Sequence, residues 1–499
     1  MELGLQFEDI FFYEVSQRIT SAHEESMETM IPEYCPDIAR IVDAAGQLIL
    51  REKLLNGEHC AISGSIKVTI LYTSEEATGL RSLSVSVPFS CTLDDHALDK
   101  CGTICAEGRV LLTEARAVTS RKLYIKVLPE ITVVGYRPVK HQLCCGTQEE
   151  KSVRIRCLRS EANLLTAISE KSFSFTQDTA LDGDCAPGDV LLYRLYPTVL
   201  SVQRLGNKLM IKGEMGVWVL YRDEEQGLRQ YEAVLPLSQI LDAAELPENA
   251  EYQIRLQQRE SDVRVLRTDS GNGFGITAKI NACILAYGSH TMCYVADLYS
   301  TRFDAEVERQ EIRLLLASPD HMVTQEAQLR LELGDREPFI SITEIDCAPA
   351  EVLTDESGGQ LRTTLHVRLL YLDESGAPVT TERTVEVSTG VNEISGPVTV
   401  CCGQAAVQVS GGVCLVRIPV TFQMENRGEL TFDGITAVTL AETQNTDAPS
   451  LILCRMDPTE TLWDVAKRYR TDEDAIRNAN QMESGEAAER GMLLIPRIR

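Results

Sequence analysis

Alternation of apolar and polar positions is the main pattern of the chain before residue 455, and it recurs in three copies. An alternating segment ends in Leu-Tyr at Tyr72, at Tyr221 and at Tyr371, which stand about 150 residues apart. Each tyrosine is followed by an acidic turn that contains glycine, and then by a second alternating segment. Two such segments joined by a short polar turn with glycine are typical of a β-hairpin. The pattern therefore predicts the same hairpin three times.

Each predicted hairpin is followed by further strand-like segments that are rich in Val, Ile, Leu and Thr. These segments begin at Ile104 and Lys122 in the first copy, at Tyr252 and Phe274 in the second, and at Gln404 in the third. We therefore predict a mainly β protein with three repeated antiparallel β modules, sandwich-like or barrel-like, over residues 1–147, 148–305 and 306–448. The three tyrosines should occupy equivalent positions, each with a buried ring and a hydroxyl near a wet edge.

One segment before the first hairpin mixes helical and strand-like features. Pro36 suits the first position of a helix, but Ile38, Ile41 and Val42 lead into a β-like Leu-Ile-Leu run. We predict a short helix that enters a strand rather than one long helix.

The pattern changes after Leu451, where apolar residues take helical spacing. The residues at this spacing are Leu462, Val465, Ala466 and Tyr469 in a first helix, and Ala475, Ile476 and Ala479 in a second. Thr471, with Asp474 three residues later, predicts a cap between the helices. Strand-like runs stand on both sides, so residues 449–499 should form a small βααβ domain. The first-helix Trp463 should belong to its core.

Composition places the chain among globular proteins and limits its partners. The 499 residues are 44% apolar and carry a formal net charge of −26. A surface with this excess of negative charge repels the phosphate groups of nucleic acids and of anionic lipids. We therefore expect no nucleic-acid partner and no peripheral membrane role. The start of the sequence has no basic leader, and no apolar run reaches the roughly 18 residues of a spanning helix. We expect no membrane insertion and a cytoplasmic location.

Residues with catalytic or metal-binding chemistry form no recognisable motif. The 16 cysteines include no CxxC pair, and the 7 histidines fall singly, without HExxH, GxSxG or a P-loop pattern. His141 and Cys144 come nearest to a zinc motif, but buried thiols are the better interpretation of most cysteines. We expect no metal, no cofactor and no enzymatic activity, and reduced thiols rather than disulfides.

The C-terminal segment resembles a LysM domain in four separated blocks. These blocks are Thr459–Trp463, similar to Gly-Asp-Thr-Leu-Trp; Val465–Tyr469, similar to Ile-Ala-Lys-Lys-Tyr; Ala479-Asn480; and Gly491–Pro496, similar to Gly-Gln-x-Leu-x-Ile-Pro. The resemblance implies a shallow groove for glycans that contain N-acetylglucosamine. In this sequence the two loops that would form the groove are Asp457–Thr461 and Asn480–Gly485.

The residues of these loops are the binding residues that we predict. They are Asp457, Pro458, Thr459, Glu460, Thr461, Asn480, Gln481, Met482, Glu483 and Ser484. Thr459 stands where the family has glycine, Glu460 adds a charge, and methionine suits adaptable protein surfaces. We therefore expect the loops to bind a protein, with an N-acetylglucosamine-containing glycan as the alternative ligand.

The repeated part of the chain resembles the SPOCS domains, which are β modules of endospore-coat proteins in clostridia. The block Ile31–Ile41 is similar to that family's Leu-Pro-x-x-x-Pro-Asp-Ile-x-x-Ile hallmark. SPOCS repeats followed by a LysM domain imply a scaffold or adaptor in the cytoplasm of the mother cell, at the forespore surface. Such a scaffold would tether coat material through the coat ATPase SpoIVA, which is the protein partner that the resemblance implies.

Two other functions stay open from the sequence. A structural protein could bind peptidoglycan or cortex glycan through the same tail. A cell-wall hydrolase would need a positioned pair of carboxylates and a route of export. A chain with 74 acidic residues always offers such pairs, so their existence is no evidence for a hydrolase. The non-catalytic scaffold is the leading hypothesis.

Overall fold

The computed structural model is mainly β, with 79% strand and 4% helix. It describes residues 1–76, 79–148, 151–181, 186–268, 271–332, 339–355, 358–442, 451–457, 459–482 and 492–496. Their strands form several antiparallel sheets. Within these ranges no helix has the length and apolar character needed to cross a membrane.

The first group of strands contains two sheets that share a core. Its strands are β1 (Leu5–Ala22), β2 (Glu25–Met30), β3 (Arg40–Asn56), β4 (His59–Thr73), β5 (Arg81–Asp94), β6 (Thr103–Thr119) and β7 (Lys122–Thr147), with a 3₁₀ turn at His96–Lys100. In the first sheet β7 pairs with β1, β2 and β6, and the second sheet has the order β3-β4-β5. Ile66 of β4 and Ile125 of β7 belong to one buried cluster, so the two sheets bury their apolar faces together.

The second group of strands also has strands of two sheets that share a core. Its strands are β8 (Val153–Ala180), β9 (Pro187–Leu205), β10 (Lys208–Asp223), β11 (Leu228–Asp242), β12 (Ala250–Thr268) and β13 (Gly271–Ser300). β13 pairs with β8 and β12, and the pairing of β8 with β1 makes these strands part of the same seven-stranded sheet as β1, β2, β6 and β7. The strands β11, β10 and β9 form a separate sheet in that order. Val217 of β10 and Ile276 of β13 share its core.

The third group of strands contains two sheets, in which several strands are short. Its strands are β14 (Phe303–Glu332), β15 (Ile340–Cys347), β16 (Glu351–Asp355), β17 (Gly358–Leu372), β18 (Pro378–Val391), β19 (Val398–Cys402), β20 (Ala406–Ser410) and β21 (Val413–Glu442). In the first sheet β21 pairs with β14, β19 and β20, and in the second β17 pairs with β15, β16 and β18. Leu365 of β17 and Phe422 of β21 share its core.

The hairpins predicted from the Leu-Tyr pattern are confirmed. Tyr72, Tyr221 and Tyr371 lie near the ends of β4, β10 and β17, and each of these strands pairs with the strand that follows it. Tyr72 is only 1% exposed, and burial raises the pKa of its hydroxyl to about 12. The expectation of a hydroxyl at a wet edge is therefore wrong for Tyr72, because its whole side chain lies inside the first group's core.

The helix expected near Pro36 is wrong. The chain forms turns before β3 begins at Arg40. The backbone N–H groups of Ile31 and Ile38 donate to the carbonyl oxygens of Arg121 and Ser120. These hydrogen bonds join the segment to the turn between β6 and β7 and do not form a helix within it. Both isoleucines are buried in the first group's core. Packing and cross-chain hydrogen bonds thus override the helical signal of the proline.

The three groups of strands pack against one another along a common junction. Three buried clusters each combine residues from all three groups. A fourth combines residues of the first and second groups, and the partly buried Ala317 of the third group packs against it. One of these clusters contains Phe12, Leu164 and Leu314. In addition, β1 of the first group pairs with β8 of the second at Tyr13 and Leu165. The junction therefore unites the three groups in one body.

The tail follows the predicted order of strand, helix, helix and strand. Its elements are β22 (Leu451–Arg455), α1 (Leu462–Tyr469), α2 (Glu473–Ala479) and β23 (Met492–Pro496). The cap of α2 is Asp472, whose side chain accepts from the Asp474 N–H, so the expectation of a Thr471 cap is wrong. Thr471 is instead buried and donates its hydroxyl to the Pro496 carbonyl oxygen. This bond holds the inter-helix turn to the end of β23.

Candidate functional site

The first predicted loop is a turn whose acidic side chain is neutralised within the tail. The Glu460 N–H donates to the Asp457 carbonyl oxygen at 3.0 Å, and the Asp457 N–H donates to the Glu460 carboxylate at 3.2 Å. Glu460 also forms an ion pair with Arg468 of α1, and its side chain is 15% exposed. Glu460 is therefore not a free charge for a ligand. Pro458 lies outside the described residues.

Thr461 closes this loop by capping α1. Its side chain accepts from the Asp464 N–H, while the Asp464 carboxylate accepts from the Thr461 N–H, which makes a capping box. The hydrogen bonds from Thr461 lower the pKa of Asp464. Thr461 thus has a structural role, whereas Asp457 and Thr459 are exposed.

The second predicted loop is also tied to the tail's own structure. The Asn480 side chain donates to the carbonyl oxygens of Ile476 and Leu494, each at 2.7 Å, and accepts from the Leu494 N–H at 2.8 Å. Met482 packs against the tail core. Gln481 is exposed. Glu483 and Ser484 lie outside the described residues.

The tail carries an apolar surface that the sequence analysis did not identify. Leu451 and Leu453 of β22 and Met492 of β23 are largely exposed, and Arg455 pairs with Met492 in the same ladder. Alternation places these side chains on one face, while Cys454 and its neighbours on the other face are buried. We call Leu451, Leu453, Arg455 and Met492 the tail face. The sequence LILCR is almost uniformly apolar, so alternation could not show which residues point outward.

The opposite side of the tail is docked on the second group of strands. The Trp463 indole N–H donates to the Asp297 carboxylate at 2.8 Å, and Lys467 reaches the same carboxylate at 2.7 Å. The Trp463 ring packs edge-on against Tyr299, whose hydroxyl donates to the Thr471 carbonyl oxygen at 2.8 Å. Trp463 is buried, as predicted, but its core is shared with the body of the molecule.

A cavity of about 490 Å³ lies where the three groups of strands meet. Its lining residues include Cys105 and Arg109 of β6, Glu170 of β8, Cys283 of β13, and Glu344 of β15. Burial raises the pKa of Glu344, although Arg194 and Arg368 oppose this shift. The cavity is therefore polar and holds both signs of charge.

Two thiols and a carboxylate converge at one side of the cavity. Their ligand atoms, from Cys105, Glu170 and Cys283, all lie within 4.8 Å of one another, so they could hold a metal ion. The Lys53 ammonium group forms an ion pair with Glu170 and donates to the Ile104 carbonyl oxygen at 2.5 Å. Sequence reasoning missed this cluster because its members stand far apart in the chain and form no local motif.

Comparisons with known proteins yield no matching family model, no matching curated protein and no matching solved structure.

Proposed function

We propose that this protein is a non-catalytic scaffold or adaptor in endospore coat assembly. It acts in the mother-cell cytoplasm at the forespore surface, and it tethers coat layers through the coat ATPase SpoIVA. The proposal starts from the sequence resemblance to SPOCS and LysM domains. Residues 1–147, 148–305 and 306–448 would be SPOCS-like β sandwiches, and residues 449–499 a LysM domain that recognises the partner.

The main observation that supports the proposal is that one side of the tail is docked on the body while the other side is exposed. Contacts of Trp463 and Lys467 with Asp297 hold one side of the tail on the body. The tail face, on the outer side of β22 and β23, is exposed and apolar. A recognition module that is fixed on one side and exposed on the other suits an adaptor, because binding then requires little reorganisation.

The chemistry of the tail favours a protein partner over a glycan. The tail face combines apolar side chains with Arg455, a composition that is common at the centre of protein interfaces. Trp463, an aromatic ring on which a sugar could stack, is buried against Tyr299 instead. Glu460 and Asn480 use their polar groups within the tail.

A pull-down with purified full-length protein and immobilised SpoIVA tests the proposal. Leu453→Asp places a charge on the tail face and should weaken capture at least tenfold. Leu200→Asp, in β9, is the matched control, because both leucines are 64% exposed. Thr459→Lys tests the first predicted loop without disturbing the core, since Thr459 is exposed. Equal capture by wild type and Leu453→Asp would count against the tail face.

Two further measurements separate the scaffold from the other functions. Co-sedimentation with insoluble peptidoglycan should leave the protein in the supernatant. Stoichiometric sedimentation without SpoIVA capture would support a peptidoglycan- or cortex-binding structural protein instead. A fluorescent fusion in sporulating cells should form a ring around the forespore, and a diffuse or secreted signal would overturn the proposal.

A further inference from the structure

Two pairs of cysteine thiols lie in direct contact in the folded chain. The Cys105 and Cys283 sulfur atoms are 2.8 Å apart, and those of Cys347 and Cys402 are 2.7 Å apart. The cysteines in the described ranges are free thiols. Because a disulfide needs two sulfurs whose carbon atoms already face each other at short range, both pairs are placed for bond formation.

The first pair joins different groups of strands. Cys105 lies in β6 of the first group and Cys283 in β13 of the second, 178 positions apart in the chain. Both residues line the central cavity, whose volume of about 490 Å³ admits a small oxidant. A bond between them would fasten the two groups covalently at the junction.

The surroundings of this pair give the two thiols different chemical roles. A hydrogen bond with the Cys283 thiol lowers the pKa of Cys105, and Lys53 and Arg255 also favour its thiolate. The hydrogen bond with Cys105 and burial raise the pKa of Cys283. Cys105 is also partly exposed, whereas Cys283 is buried, so an oxidant reaches Cys105 first and Cys283 is the thiol that resolves the intermediate.

We propose that Cys105 and Cys283 form an oxidation site that closes to a disulfide between the first and second groups of strands. With hydrogen peroxide as oxidant, the Cys105 thiolate attacks one peroxide oxygen, which gives a sulfenic acid and releases hydroxide. The Cys283 sulfur then attacks the sulfenic sulfur, loses its proton, and water leaves. Two thiols lose two electrons in total, and one peroxide is reduced to two waters.

Metal binding is the competing chemistry for this cluster. Cys105, Cys283 and Glu170 could supply two thiolates and a carboxylate. However, Lys53 forms an ion pair with Glu170 and places a positive charge beside the position that a cation would occupy. The carboxylate is thus already neutralised, which favours the disulfide.

The pair Cys347 and Cys402 provides an internal comparison. It links β15 to β19, so its disulfide would connect the two sheets of the third group only. Oxidation should close this pair as well. Of these two bonds, the one between Cys105 and Cys283 is the one that would connect different groups of strands.

The test is disulfide mapping of the full chain. Reduced protein is treated with hydrogen peroxide, remaining thiols are alkylated, and non-reduced proteolytic peptides are identified by mass spectrometry. We expect a peptide of Cys105 linked to a peptide of Cys283, released by dithiothreitol. The thermal unfolding midpoint should rise on oxidation, because a cross-link over a long loop restricts the unfolded chain.

Two variants make the test specific. In Cys283→Ala the linked peptide should disappear, the rise in midpoint should be smaller than in wild type because only the bond between Cys347 and Cys402 still forms, and Cys105 should proceed to sulfinic acid. In the control Cys414→Ala, which replaces a buried cysteine in the third group's core, the linked peptide and the full rise should persist. Circular dichroism shows whether each variant is folded, and wild-type mapping does not depend on either variant.

Recovery of alkylated Cys105 and Cys283 from peroxide-treated wild type would overturn the proposal. So would native mass spectrometry that finds one zinc ion per reduced chain and thiols protected from peroxide by that ion.

Discussion

Trp463 and Asp297 together attach the tail to the body of the molecule. The indole N–H and the Lys467 ammonium group both donate to the Asp297 carboxylate, at 2.8 and 2.7 Å. Burial raises the pKa of Asp297, but the hydrogen bonds from Lys467 and Trp463 outweigh burial and leave the pKa below its ordinary value of 3.8. The carboxylate is therefore charged when the tail is docked.

Replacing Asp297 should loosen the tail without unfolding the body. Asp297→Ala removes the acceptor of the Trp463 N–H, and we expect docking to weaken by about 1 kcal/mol. The chain has 2 tryptophans, so a Trp218→Phe background isolates the fluorescence of Trp463. Its emission should shift to longer wavelength in Asp297→Ala. Asp178→Ala, which removes an exposed carboxylate of β8, should leave the emission unchanged.

The same contact should respond to acid. Because the folded-state pKa of Asp297 lies below 3.8, its charge stabilises docking above that pH, and this stabilisation is lost as pH falls through the folded value. In the Trp218→Phe background, Trp463 emission should shift to longer wavelength below about pH 3.8. Asp297→Asn should lack this step. A step of equal size in both proteins would show that another group controls docking.

The structure gives Met482 a different role from the one that the sequence predicted. Its position in a predicted groove loop favoured a contact with a partner. The structure packs it against the tail core. A substitution such as Met482→Asp would therefore disturb the fold of the tail, which is why Leu453→Asp is the better test of binding.

At the scale of elements, matching irregularities recur in β4 and β10. Gly64 and Gly213 stand at the same distance along the chain before Tyr72 and Tyr221. A Cβ atom would lie 2.2 Å from the Ile49 carbonyl oxygen at Gly64, and 2.0 Å from the Thr198 carbonyl oxygen at Gly213. Register shifts occur in the adjoining pairings of β3 with β4 and of β9 with β10. The glycines allow the backbones to approach closely at these bulges.

Alanine at either position should destabilise the corresponding sheet. For Gly64→Ala and Gly213→Ala we expect the free energy of unfolding to fall by about 1–3 kcal/mol, because the new methyl group meets backbone that cannot rotate away. Urea denaturation measures the change. Gly390→Ala is the control, since a Cβ there meets nothing within 4 Å. Equal midpoints for Gly213→Ala and Gly390→Ala would contradict this account.

At the scale of the whole molecule, a buried ion pair links the second and third groups. Arg255 of β12 lies 2.9 Å from the Asp320 carboxylate of β14, whose side chain is 3% exposed. Gln253 and Gln423 also donate to this carboxylate. Burial opposes the charge of Arg255, but Asp320 and other nearby groups outweigh burial and raise its pKa. The Asp320 carboxylate therefore accepts hydrogen bonds from three side chains, one of which is the cation that pairs with it.

Removing one member of this pair should weaken the junction strongly. Asp320→Ala leaves Arg255 buried without its carboxylate, and we expect a loss of about 3–5 kcal/mol in urea unfolding. The double variant Arg255→Met with Asp320→Leu should recover much of that loss, because neither charge of the pair is then left without its partner. The control Glu351→Ala, at the exposed pair with Arg362, should leave the midpoint unchanged. A double variant as unstable as Asp320→Ala would show that the charges themselves are needed.

The sequence by itself determined the features that arise from local patterns. Alternation around Tyr72, Tyr221 and Tyr371 predicted the hairpins, because each strand's period shows which of its faces is buried. Helical spacing predicted α1 and α2 of the tail for the same reason. The repeated pattern also predicts that the three long segments are related, and this stays a prediction. These properties depend on residues that are near one another in the chain.

Only the tertiary structure decided which buried faces meet. Alternation marks a face as apolar but does not name its partner, so neither the common junction nor the docking of Trp463 on Asp297 could be predicted. The contact of Cys105 with Cys283 arises from the same packing of separate groups. The turns in place of a helix near Pro36 have the same cause, because hydrogen bonds and burial supplied by distant residues outweighed a local preference.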